Sequence, residues 1–134
     1  MRWILYAAAA DPMLTGLFMF ASPSLFGQLI LGGADSSAAT LALGRIGGAA
    51  MFALGLASWP SISTMAAPAS SPTRALLIYN VLATLYLTYL ARVAQMAGVL
   101  LWPAVAVHAT LVVLLALGWL VSARRHRADK VVAA

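Results

Sequence analysis

The run "LVVLLALGWLV", residues 111–121, carries no charge and no alternation of apolar with polar side chains. A strand of a membrane barrel alternates lipid-facing and lumen-facing residues with period two. A continuous apolar run instead has to satisfy its backbone groups within itself, which in lipid means an α-helix. Crossing a hydrocarbon core of about 30 Å takes about 20 such residues. Extending this run back to Trp102 supplies them, and the span is 102–121. The same criterion picks out 3–21, 38–59 and 73–96.

The composition agrees with that parse. Of 134 residues, 63% are hydrophobic and 8% charged, where a soluble domain carries about 25% charged residues. The mean hydropathy is +0.96. Basic residues exceed acidic ones, but Arg124, Arg125, Arg127 and Lys130 sit together in the tail and Arg2 lies at the other end. No basic face suited to phosphates is visible, so nucleic acid is not expected as a partner. Cysteine is absent, which excludes disulfides, thiolate metal sites and thiol redox chemistry. The opening "MRWILYAAAA" resembles a signal peptide, but its apolar core of eight residues is short, and it is read as a retained first span.

The connections carry their own signals. In "SPSLFGQLILGG", Ser22 is placed at an N-cap and Pro23 at the first helical position. Leu25, Phe26, Leu29 and Ile30 are expected to share one face of a short interfacial helix that ends at Gly32 and Gly33. "SWPSISTMAAPASSPT" has the Pro and Ser content of a loop, and "MAGVLLWP" makes a tight turn into the last span. The expected fold is all-α: a single transmembrane domain over residues 1–134, an integral membrane four-helix bundle with a basic tail at 122–134. Four spans put both termini on one side, with the basic tail, Arg2 and Arg74. The Lys and Arg bias makes that side cytoplasmic.

Ionisable groups inside a span are costly and tend to face the bundle. Asp11 lies in the first span beside Pro12, and Arg45 interrupts a surface of small residues (Thr40, Gly44, Gly48) in the second. Asp11 is about 15 Å and Arg45 roughly 10 Å from the outer end of its span. Arg45 is therefore expected to neutralise Asp11 across the first helix pair. In the third span Asn80, Thr84, Thr88, Arg92 and Gln95 follow helical spacing down one side, with Tyr79, Tyr86 and Tyr89 mostly on the other. His108, in the fourth span, is about 9 Å from the outer end. These groups converge on one outer-half region, which makes Asp11, Arg45, Asn80, Thr84, Thr88, Arg92 and His108 the candidate ligand-binding set. Each also has a plain structural alternative: an ion pair, threonines bonded back to their own helix, and a hydrogen-bonded histidine. Trp3, Trp59 and Trp102 near span ends fit interfacial belts.

No phosphate-binding loop, nucleophile elbow or zinc-protease motif is present. Asp11 and His108 are the candidate catalytic groups, as proton carriers. No metal is expected. His108 is the histidine within a span and His126 lies in the tail, so one chain cannot offer haem two axial histidines at one depth.

"PSLFGQLILGG" after span one and "LALGRIGGAAMFALGLASW" in span two resemble small four-helix bacterial inner-membrane proteins of the DoxX-like group. That resemblance implies a multi-pass protein of the bacterial inner membrane, in a family some of whose members are associated with quinone-linked oxidoreductases. The acid in span one is also similar to that of small multidrug transporters, from which this chain departs in its charge bias and its Asp-Pro pair. The leading expectation is an accessory or assembly subunit, or a binder of a small amphiphilic ligand in the outer half of the bundle. Its partners would be membrane lipid and a larger membrane complex or a second copy of the chain. The alternative is a membrane enzyme acting on a quinone or isoprenoid, with Asp11 or His108 moving the proton; no cofactor is expected, quinone being the one candidate. A small proton-coupled transporter is the third reading.

Overall fold

A computed structural model describes residues 2–33, 37–60 and 71–132. The described residues form five helices and no strand: α1 (Arg2–Ala21), α2 (Pro23–Leu31), α3 (Ala38–Ala57), α4 (Ser71–Arg92) and α5 (Leu101–Val132). Four of them hold stretches long and apolar enough to cross a membrane: Trp3–Ala21, Ala38–Ala57, Pro72–Arg92 and Leu101–Val121. Large apolar side chains such as Leu43, Ile46, Ile78, Leu85 and Val113 stand more than half exposed along these helices. Water would not tolerate that much contiguous apolar surface on a monomer, whereas lipid does. The protein is a multi-pass helical membrane protein.

Two tight antiparallel pairs build the bundle, α1 with α3 and α4 with α5, and α1 packs on both α3 and α5. Small residues make the first pair possible. A Cβ added at Gly16 would strike the backbone of Gly48 and Phe52, and one at Gly48 would strike Phe20 and Gly16. The helices approach backbone to backbone, as small residues allow. The seam on α3 runs through Gly44, Gly48, Met51 and Gly55. In the half of the bundle that holds the first turns of α1, Ala8 and Ala9 pack with Leu76, Leu111 and Leu115 into a buried core.

α2 begins with Ser22 at the N-cap and Pro23 in its first turn, as expected, although the Ser22 hydroxyl makes no capping bond. It ends on Gly32, left-handed at φ 81°, whose N–H is donated to Gln28 O. The apolar residues of α2 do not all share one face: Phe26 and Ile30 turn inward, while Leu25 is exposed. The α4–α5 connection docks on the end of α2. Leu100 N–H donates to Leu29 O at 2.8 Å, and Gly98 lies against the Ile30 carbonyl, where a Cβ has no room.

Helix ends differ most from the sequence expectation at two places. The third span stops at Arg92 rather than 96, because Val93 and Ala94 N–H both turn back to Tyr89 O and Gln95 adopts φ 54°. α5 continues through most of the expected tail, to Val132. The loop expected around 61–70, Asp35 and the side chains of Arg125, His126, Arg127 and Lys130 lie outside the described residues.

Candidate functional site

Asp11 of α1, Asn80 of α4 and His108 of α5 meet at the upper edge of the buried core. Asn80 is fully buried. Its Nδ2 donates to Leu76 O at 2.8 Å, and its Oδ1 faces His108 Nδ1 at 2.9 Å. A backbone carbonyl can only accept, so the Leu76 oxygen fixes which end of the amide faces it. Oδ1 is then the atom turned to the ring, and the proton of His108 sits on Nδ1. This bond joins α4 to α5, and it also fixes the imidazole tautomer.

Asp11 Oδ2 lies 3.6 Å from the same Nδ1. That is an electrostatic contact, too long for a hydrogen bond. Oδ2 is sealed from the surroundings and has no hydrogen-bond partner among the described residues. Tyr79, one residue before Asn80, sets its ring edge-on to the His108 ring, with centroids 5.6 Å apart and planes at 83°.

Above this group, toward α2, the helices separate around a cavity of about 600 Å³. Asp11, Thr15, Tyr79 and His108 supply its polar end. Apart from Tyr86 the remaining wall is apolar, with Phe18, Met51 and Leu87 among its members and Phe26 and Ile30 of α2 closing the far end. Phe26 packs its ring against Phe18, centroids 5.9 Å apart. Ala83 and Ala104 add little bulk on the α4 and α5 sides, which leaves the space open. Leu14, Tyr86 and Val107 line the cavity and are also exposed. The mouth therefore faces sideways, where lipid chains would run. Such dimensions and lining are those of a small-molecule site.

Several expected members lie elsewhere. Arg45 is exposed and makes no ion pair with Asp11; among the described residues the ionisable group beside Asp11 is His108. The two were matched by depth, but depth says nothing of direction around the helix. On α1, Ala9, Met13, Gly16 and Phe20 face α3, and Asp11 faces α5. On α3, Arg45 is one residue past the seam at Gly44, about 100° around the helix. Thr84 and Thr88 donate back to Asn80 O and Thr84 O, at 2.8 and 2.7 Å. Arg92 places its guanidinium 5.0 Å from the Trp102 ring centre, away from the cavity. Gln95 has left the helix and donates to Arg92 O at 2.6 Å.

Thr15 and Tyr79 were missed as lining residues. Thr15 could have been found, because it follows Asp11 by four residues and so shares its face. Tyr79 could not, since the polar arc of α4 was read as one face and the tyrosines as its opposite. Among the described residues no group of three or more His, Cys, Asp or Glu side chains is placed to hold a metal ion. Comparison with family models, with curated proteins and with solved structures finds no match to this chain.

Proposed function

We propose that this protein binds a small lipid-soluble amphiphile, with its polar head at Asp11 and His108 and its apolar body in the cavity toward α2. The observation that carries the reading is the cavity itself, an apolar chamber of about 600 Å³ with four polar side chains at one end. Apolar walls of that extent lose dispersion contacts if nothing lies against them. An occupant entering from the open side would restore them. A lipid tail would satisfy the apolar walls but would offer nothing to the polar end formed by Asp11, Thr15, Tyr79 and His108, and leaving a buried polar group unmet costs about 1–3 kcal/mol. A molecule with both parts is the better occupant.

The bacterial inner membrane, with both termini cytoplasmic, is the setting proposed for this binding, and the Lys and Arg distribution supports it. Native mass spectrometry of protein extracted in mild detergent tests the reading. A stoichiometric added mass, lost when Ala104→Trp fills the chamber, is expected. Bare protein in both samples would refute it. A second reading rests on the closeness of Asp11 and His108: an acid and an imidazole beside a ligand chamber could move a proton on or off a bound quinone or isoprenoid, which would make the binder an enzyme.

A further inference from the structure

Resting on the ligand-binding reading, we infer that the occupant lies inverted with respect to the membrane's own lipids, its polar head deep in the hydrocarbon and its tail toward α2. The ligands admitted this way are single-tailed lipids with a small uncharged head. The spans of α1 and α4 end at Ala21 and Arg92, and that of α5 begins at Leu101, all at the α2 end of the bundle. Counted from those ends at about 1.5 Å per residue, Thr15 and His108 lie about 10 Å deep, Asp11 about 15 Å and Tyr79 about 20 Å. In a hydrocarbon core of about 30 Å these depths centre on the middle. The apolar end of the cavity, at Phe26 and Ile30, belongs to α2, past the end of the first span. A phospholipid keeps its charged head at the surface and its tails inside. In that orientation an amphiphile would set its head against Phe26 and Ile30 and end its tail at the four polar side chains. Turned over, it matches the cavity at both ends.

The way in selects the head. Leu14, Tyr86 and Val107, exposed members of the lining, lie about 10 Å in from the same helix ends, within the hydrocarbon. Leu100 and Pro103 carry the exposed rim on toward α2, and both are apolar. On the other side of the polar group the bundle is filled by the core of Ala8, Ala9, Leu76, Leu111 and Leu115. A head therefore crosses hydrocarbon to reach Asp11 and His108. That passage is costly for a charged group and much less so for a hydroxyl or a carbonyl. Arg45 and Arg92 do not line the cavity, so no basic side chain is there to receive a phosphate. A volume of about 600 Å³ falls within the roughly 300–1,000 Å³ of sites for drug-sized molecules. It has room for one chain, not for the two of a phospholipid with their head.

The test uses dodecanol with a photoreactive diazirine on the last carbon of its tail, added to full-length protein in phosphatidylcholine vesicles. After irradiation the labelled residues are mapped by mass spectrometry, and specific label is what excess plain dodecanol competes away. Specific label is expected at the α2 end, on Phe18, Phe26 or Leu100, and not on Asp11, Thr15 or Tyr79. A second dodecanol with the diazirine beside its hydroxyl should show the reverse. Lysophosphatidylcholine with the same photoreactive tail should give at least about tenfold less specific label than the alcohol. Ala104→Trp, which fills the chamber, should abolish the specific label of both alcohols; if that variant does not fold, the competition decides alone. Tail-end label on Asp11, Thr15 or Tyr79 would overturn the inverted orientation while leaving the ligand-binding reading intact. Label from lysophosphatidylcholine equal to that from dodecanol would overturn the selection of an uncharged head, again without touching that reading. Absence of competed label from both alcohols would overturn the inference and the reading together.

Discussion

His108 donates its Nδ1 proton to Asn80 Oδ1 across the α4–α5 seam, at 2.9 Å and out of contact with the surroundings. Polar bonds between membrane helices contribute about 0.6 kcal/mol on average and up to about 1.7. This one joins two buried side chains and should fall in the upper part of that range. A double-mutant cycle with Asn80→Leu and His108→Leu, read by unfolding in detergent, should give a coupling of about 1–1.7 kcal/mol. A coupling near zero would mean that the amide does not hold the ring.

Asp11 and Arg45 should behave as independent residues. Arg45 is exposed, and Arg45→Gln is expected to change stability by no more than about 0.5 kcal/mol. Combined with Asp11→Asn, its effect should add within about 0.5 kcal/mol. Asp11→Asn with His108→Gln should not add, since Asp11 Oδ2 and His108 Nδ1 are 3.6 Å apart. Non-additivity in the Arg45 pair would contradict the packing described above.

The α1–α3 seam has no room for a side chain at Gly48. A Cβ at Gly48 would come within 2.5 Å of Phe20 N and 2.6 Å of Gly16 O. Both are backbone atoms, so relief requires the helices to move apart. Gly48→Ala should cost about 1–3 kcal/mol or more. Gly33→Ala, where nothing lies within 4 Å, should stay within about 0.5 kcal/mol. Thermal unfolding of the two variants side by side checks the contrast.

Orientation is open to a direct measurement. A reporter fused after Ala134 is expected to be active in the cytoplasm and inactive outside, and one inserted in residues 32–36 should show the reverse. Activity of the C-terminal fusion on the outer side would reverse the proposed topology.

The spans were legible because the bilayer imposes a local condition. Each crossing needs enough consecutive apolar residues, and that is a property of a segment taken alone. The expected span 3–21 therefore coincides with Trp3–Ala21, and the others shift by a few residues at their ends. The end of α4 moved because a hydropathy window does not register the turn at Tyr89–Met96, where backbone N–H groups close on carbonyls before the apolar residues run out. The start of α2 was visible from Ser22 and Pro23, whose positional preferences are likewise local.

What the chain by itself determined, then, is which segments are helices in lipid and at what depth each polar side chain sits. Depth follows from counting residues along an axis at about 1.5 Å each. Which polar side chains meet is decided by the rotation of each helix about that axis, and only packing sets the rotation. The glycines of α3 drew Ala9, Met13, Gly16 and Phe20 of α1 toward them. That turned Asp11 to α5 and His108, and left Arg45 outside. The cavity has the same origin. It lies where α1, held tightly to α3, parts from α4 and α5 above the Ala8 and Ala9 contacts, a separation that no single segment encodes.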